Sequence, residues 1–227
     1  EGQLPLNSAS PVGESILKIK PAITAQWGDG FSWEYSFDTQ TLRCFGTGTV
    51  SSKGWELLFE EDSGYKVQTA ELTDGIVWAP IINGASTWIL GKDVQIPELT
   101  LYWLGTAGPR DIQVNPSNPY YSSYDGALYS KDGSSLYYAN HTDITFHPNL
   151  RYIENCALQM NGGTLVLPWG LLTLNGGALT HLVNVTVILP DTTTFINGAN
   201  NSLEELSREK YRVTVRFSQN NKEAIEK

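Results

Sequence analysis

One phrase recurs three times in the last third of the chain and limits what the chain can fold into. It reads Pro148-Asn149-Leu150-Arg151-Tyr152-Ile153-Glu154-Asn155-Cys156-Ala157-Leu158, then Pro168-Trp169-Gly170-Leu171-Leu172-Thr173-Leu174-Asn175-Gly176-Gly177-Ala178-Leu179, then Pro190-Asp191-Thr192-Thr193-Thr194-Phe195-Ile196-Asn197-Gly198-Ala199. Ala157, Ala178 and Ala199 stand 21 and 21 residues apart, and Ile82-Asn83-Gly84-Ala85 is an earlier copy of the small-residue step. A unit of this length has too little apolar surface to fold alone. It buries that surface only by stacking on the next unit, which builds a long surface rather than a deep cleft.

Elsewhere the apolar pattern has period two. Trp33-Glu34-Tyr35-Ser36-Phe37 puts three aromatic rings on one face. Asp38-Thr39-Gln40 turns the chain, and Thr41-Leu42-Arg43-Cys44-Phe45 returns with Leu42 and Cys44 on one face and Arg43 on the other. This predicts a hairpin and a small β cap over 16–50. Short apolar runs at 55–59, 67–72, 76–82, 88–90 and 99–104 show no sustained helical period. Asp111-Ile112-Gln113-Val114 reads as a strand, and Asn115-Pro116-Ser117-Asn118-Pro119 as a turn. Ala127-Leu128-Tyr129 and Leu136-Tyr137-Tyr138 flank Ser130-Lys131-Asp132-Gly133-Ser134-Ser135, a second hairpin. Ser202-Leu203-Glu204-Glu205-Leu206 predicts one or two helical turns, and Tyr211 to Phe217 a closing strand.

Charge and motifs narrow the function. The net charge of −9 comes without any Lys/Arg cluster, which argues against nucleic acid. No run of about 18 apolar residues crosses a membrane as a helix. Cys44 and Cys156 fit buried free thiols, with a disulfide between them left open. His141, His147 and His181 have no acidic or thiol neighbour at ligand spacing, so no metal and no cofactor is expected. Asp125-Gly126 and Asp132-Gly133 read as turns, not calcium loops. Glu60-Glu61-Asp62 and Glu204-Glu205 read as solvated charge, although a glycosidase needs only two carboxylates.

Aromatic residues are the candidates for binding. Tyr120, Tyr121, Tyr124, Tyr129, Tyr137 and Tyr138 fall within a short stretch, and Tyr offers contact area with a polar handle. Packing of the hairpin is the competing explanation for any one of them. Of the seven tryptophans, Trp169 sits where the repeat turns, after Pro168, and is expected to be exposed. The candidate ligand-binding set is Tyr120, Tyr121, Tyr124, Tyr137, Tyr138 and Trp169.

The stretch Asn115 to Gly133 resembles the hairpin insert of BspA-like leucine-rich repeat proteins, and the Pro-led repeats at 148, 168 and 190 resemble that family's units. Residues 27–48, with Trp33, Thr41, Leu42 and Gly46-Thr47-Gly48, resemble a β module placed before such repeats. The family has Ala-Phe where this chain has Ala157-Leu158 and Ala178-Leu179. The resemblance implies a secreted or surface-attached bacterial protein, of Bacteroidetes type, acting in cell adhesion.

The expected fold is therefore mainly β: a short, irregular leucine-rich repeat solenoid, a right-handed superhelix, with an N-terminal β module and an inserted β-hairpin. Residues 1–15 read as an N-terminal tether, 16–66 as the β module, 67–217 as the solenoid with its hairpin at 111–140, and 218–227 as a polar tail. The expected function is non-enzymatic recognition of a protein or glycan ligand at the cell surface or in the periplasm, with any lipid anchor upstream of Glu1. Two other readings stay open: a glycan-acting hydrolase, and a structural subunit of a surface complex.

Overall fold

Period-two stretches become strands, and most of those strands pair in parallel, which only stacked turns of chain achieve over such short connections. The computed structural model describes residues 23–26, 31–49, 66–78, 84–96, 108–141, 143–175, 177–190, 194–196 and 212–218. These hold nineteen strands and no helix. The expected tether, the apolar runs at 55–59 and 99–104, the helical turn at 202–206 and nearly all of the tail lie outside them.

The first half contains β1 (Ile23–Gln26), β2 (Phe31–Ser36), β3 (Thr41–Gly46), β4 (Gly48–Thr49), β5 (Thr69–Leu72), β6 (Ile76–Trp78), β7 (Thr87–Leu90) and β8 (Asp111–Val114). One six-stranded sheet runs β1-β2-β3-β5-β7-β8. The β2–β3 hairpin is antiparallel, as predicted; β3, β5, β7 and β8 follow in parallel. Strict register sorts the side chains by face. Tyr35, Leu42, Ala70, Trp88 and Ile112 form one inward row, and Trp33, Cys44, Leu72 and Leu90 another; all are buried in one core. Burial, with Glu71 nearby, pushes the Cys44 thiol up to about 12, so it stays a neutral packing group. The boundary expected after residue 66 falls inside this sheet, because β3 pairs directly with β5.

The second half contains β9 (Tyr121–Tyr124), β10 (Ala127–Ser130), β11 (Ser135–Tyr138), β12 (Tyr152–Ile153), β13 (Gln159–Asn161), β14 (Thr164–Val166), β15 (Thr173–Asn175), β16 (His181–Val183), β17 (Thr186–Pro190), β18 (Thr194–Ile196) and β19 (Thr214–Ser218). A second six-stranded sheet runs β18-β15-β12-β11-β10-β9. Tyr152 pairs with Thr173 and Thr173 with Thr194, the 21-residue period of the sequence. β13 pairs with β16, and β14 with β17 and β19, all parallel. The turns β12–β14 and β15–β17 thus each add one strand to each of three sheets, and β18 and β19 extend two of them. Gly162 (φ 79°) and Asn184 (φ 56°) make equivalent left-handed corners between the second and third strand of a turn.

The alanine steps at Ala157 and Ala178 are buried, as the close approach of adjacent turns requires; Ala199 lies outside the described residues. Ala139 N–H donates to Ala157 O at 2.7 Å, and Cys156 N–H to Gly177 O at 3.0 Å. Ala157 and Ala178 are fully buried. A Cβ at Gly177 would run into the Asn155 carboxamide, which would have to swing aside to admit it.

The β10–β11 hairpin is not an appendage. A register shift between Leu128 and Tyr129 divides its side chains between two cores. Leu128 and Tyr138 enter the core of the first half, while Ala127, Tyr129 and Leu136 enter that of the second. The expected insert at 111–140 is therefore the wall that both halves pack against. β9, not anticipated because Tyr121-Ser122-Ser123-Tyr124 lacks apolar alternation, joins it through an Asp125-Gly126 turn with both φ positive (48° and 72°).

Candidate binding face

The tyrosine cluster is chiefly a joint. Tyr121 hydroxyl donates to Ile96 O at 3.0 Å and lies 3.2 Å from Ile96 N, fastening β9 to the first half. Its ring meets Tyr137 edge-on at 5.8 Å, and both rings pack against the first core. Tyr138 is wholly buried, and burial raises its hydroxyl above the ordinary range. The expectation that Tyr138 offers a ring to a ligand is thus corrected: it pairs with Leu128 and enters the first core with it, the extra residue of the β10–β11 pair being Tyr137 on β11. Tyr120 and Tyr124 remain exposed, at 46% and 39%. Tyr124 also meets the His147 ring edge-on at 5.2 Å. Trp169 is half-buried rather than exposed.

The histidines have local roles. His147 Nδ1 accepts the Asn149 N–H at 3.1 Å, which places the proton of the neutral ring on Nε2. His141 Nε2 lies 2.9 Å from Asp125 O. Burial lowers the pKa of His181. Among the described residues no group of three His, Cys, Asp or Glu side chains is placed to hold a metal ion.

A concave site lies where the tyrosines do not point, on the outward face of the first sheet. Register puts Arg43, Glu71, Ile89 and Gln113 in one row across β3, β5, β7 and β8. These residues, with Asp74, Asn115 and Pro116, line an open groove of about 540 Å³. That volume lies within the range of small-ligand clefts, about 300–1,000 Å³.

The groove is held by its own hydrogen bonds. Arg43 Nε lies 3.3 Å from Glu71 Oε2, which orients the guanidinium. Gln113 Nε2 donates to Asp111 Oδ2 at 2.7 Å. Asp74 Oδ1 accepts Lys92 N–H at 2.7 Å, and Asp93 Oδ2 accepts Gly75 N–H at 2.8 Å, tying successive turns together. Asn118, buried behind the groove, fastens the neighbouring loops. Its amide donates to Gly91 O and Val94 O, both at 3.0 Å, and its oxygen accepts the N–H groups of Tyr120 at 2.9 Å and Tyr121 at 3.0 Å.

Of these residues the sequence marked only Arg43 as outward-facing, and none as a site. The row pairs residues separated by 28, 18 and 24 positions, so no fixed period reveals it. One signal was available: Thr41, Thr69 and Thr87 stand in register two residues before Arg43, Glu71 and Ile89.

No family model matches the sequence, and no curated protein does. Among solved structures, a leucine-rich repeat protein from Eubacterium ventriosum aligns at 14% identity over 78% of this chain and 68% of its own, with a TM-score of 0.38. The architecture described above rests on the strand pairing of this chain itself.

Proposed function

We propose that this chain is a non-catalytic recognition module of a surface-attached protein, a short leucine-rich solenoid of BspA-like type, and that its ligand face is the outward side of the first sheet. The observation that carries this reading is the groove beside Arg43, Glu71, Ile89 and Gln113, whose polar groups are already oriented by neighbouring bonds. Preorganised groups lose little freedom on binding, so more of their interaction energy appears as affinity. The stacked architecture supports the same reading, because it spreads side chains over a broad face.

The exposed pair Tyr120 and Tyr124 supports a second location for the same function, at the tip of the wall. An array of matrix proteins and polysaccharides separates the two. A hit weakened by Arg43→Ala with Gln113→Ala, but not by Tyr120→Ala with Tyr124→Ala, is the expected result. The reverse pattern moves the site to the hairpin. No hit from the folded chain overturns the recognition reading.

A further inference from the structure

We infer that the groove on the first sheet takes a neutral oligosaccharide, laid across β3, β5, β7 and β8 with its hydroxyls against the row Arg43, Glu71, Ile89 and Gln113. This rests on the recognition face proposed above and names what that face recognises.

The unmet hydrogen-bonding groups argue for a polyol. Among the described residues, Arg43 uses only Nε, which leaves the two outer nitrogens of its guanidinium as donors. Glu71 keeps its second oxygen, Gln113 its carbonyl oxygen, and Asp74 its Oδ2 as acceptors. Donors and acceptors therefore stand side by side on adjacent strands. A hydroxyl both donates and accepts, so neighbouring hydroxyls on one ring satisfy such a set together.

Charge removes the main competitors. A phosphate or carboxylate ligand would meet Glu71 and Asp74 in the groove, with Glu34 and Asp111 on the same outward face. A basic ligand would have to compete with Arg43 for Glu71. An extended peptide pairs with a sheet through a free strand edge, whereas this groove opens on the face of β3, β5 and β7, each paired on both sides, and of β8, whose outer edge already gives Ile112 N–H to Gly126 O and Val114 N–H to the Ser123 hydroxyl.

Spacing and apolar surface fit as well. Neighbouring strands lie roughly 4.8 Å apart, close to the length of one pyranose ring, so the row presents about one side chain per ring. Ile89 sits between Glu71 and Gln113 and offers the C–H face of a ring an apolar seat. Phe45, 38% exposed, projects from the same face of β3 two residues beyond Arg43 and gives a flat surface at the groove's margin.

The test is a titration of the full chain, isotopically labelled for amide NMR, with cellohexaose, laminarihexaose, xylohexaose and mannohexaose separately. Polygalacturonate and a lysine-rich peptide serve as charged comparisons. The expected result is saturable binding of at least one neutral sugar, with shifts centred on Arg43, Glu71, Ile89 and Gln113 and little dependence on salt. Gln113→Ala should weaken it about fivefold to tenfold, the loss of one hydrogen bond of about 1 kcal/mol. Leu172→Ala, at an exposed position of the second half, should leave it unchanged. Failure of all four sugars overturns the inference, and so does binding whose shifts lie outside the groove. If the array hit depends on Arg43 while no sugar binds, the recognition face stands and its ligand is not a neutral glycan. Salt-sensitive binding of the lysine-rich peptide at the same residues, without sugar binding, assigns the face to a basic protein.

Discussion

Asn118 shows how much one side chain can hold in a loop-rich protein. It is fully buried, and its four hydrogen bonds join the turn before β9 to the turn after β7. Asn118→Ala would take these partners from Val94 O and from the Tyr120 and Tyr121 N–H groups, and would leave Gly91 O with the long Val94 N–H bond at 3.3 Å. The expected cost is about 3 kcal/mol, read as a lower urea midpoint at unchanged slope; an unmoved midpoint would show that water replaces the carboxamide. Asp132 works by charge instead. Hydrogen bonds from the Ser130 hydroxyl, then from the Ser134 amide and hydroxyl, hold its carboxyl down to about 2 from an ordinary 3.8. A carboxyl depressed by folding stabilises fully above its unfolded value and loses that contribution as pH falls through its folded one. The midpoint gap between the chain and Asp132→Asn should therefore hold above about pH 4 and close toward pH 2. A gap constant over that window would mean the turn draws nothing from the ionised form.

At the level of elements, the repeated turns depend on small residues where they meet. Ala178 is fully buried in the second core. Ala178→Phe should overpack that step and cost roughly 1–3 kcal/mol, seen as a lower melting temperature. An unchanged melting temperature would place the step at an edge with room to spare. This part of the fold was legible in the sequence because one row of strands keeps a constant period: Tyr152, Thr173 and Thr194 align at 21-residue steps. The first half was not legible as a stack, because its turns have unequal lengths and only the paired strand positions keep register. The hairpin was legible, and packing was the competing explanation for any one of its tyrosines. Tyrosines in a short stretch look alike in sequence, yet Tyr138 pairs with Leu128 in the first core, while Tyr120 precedes β9, Tyr124 ends it, and both stay exposed. The groove was missed for a related reason, since Glu71, Ile89 and Gln113 become neighbours only through pairing across strands.

The whole molecule has two cores with a common wall. Leu128 and Tyr138 belong to one, Tyr129 and Leu136 to the other, and all four lie on one hairpin. Neither half can lose its packing without uncovering part of the wall that the other needs. A single cooperative unfolding transition is expected, although a chain of 227 residues has room for two. Tyr138→Ala and Tyr129→Ala, each costing roughly 3–5 kcal/mol, should lower that same transition. Calorimetry checks this, and two separable heat peaks in either variant would show that the halves melt independently.

The wall fixes where both stacks begin and leaves their lengths open. β18 stands at the outer edge of the second sheet, far from the groove-bearing strands in the sheet order. A gene duplication of the 21-residue unit that relates Tyr152 to Thr173 would add a strand beyond that edge and leave the groove untouched. Descendants of such a gene can broaden one surface without altering the recognition face proposed on the other.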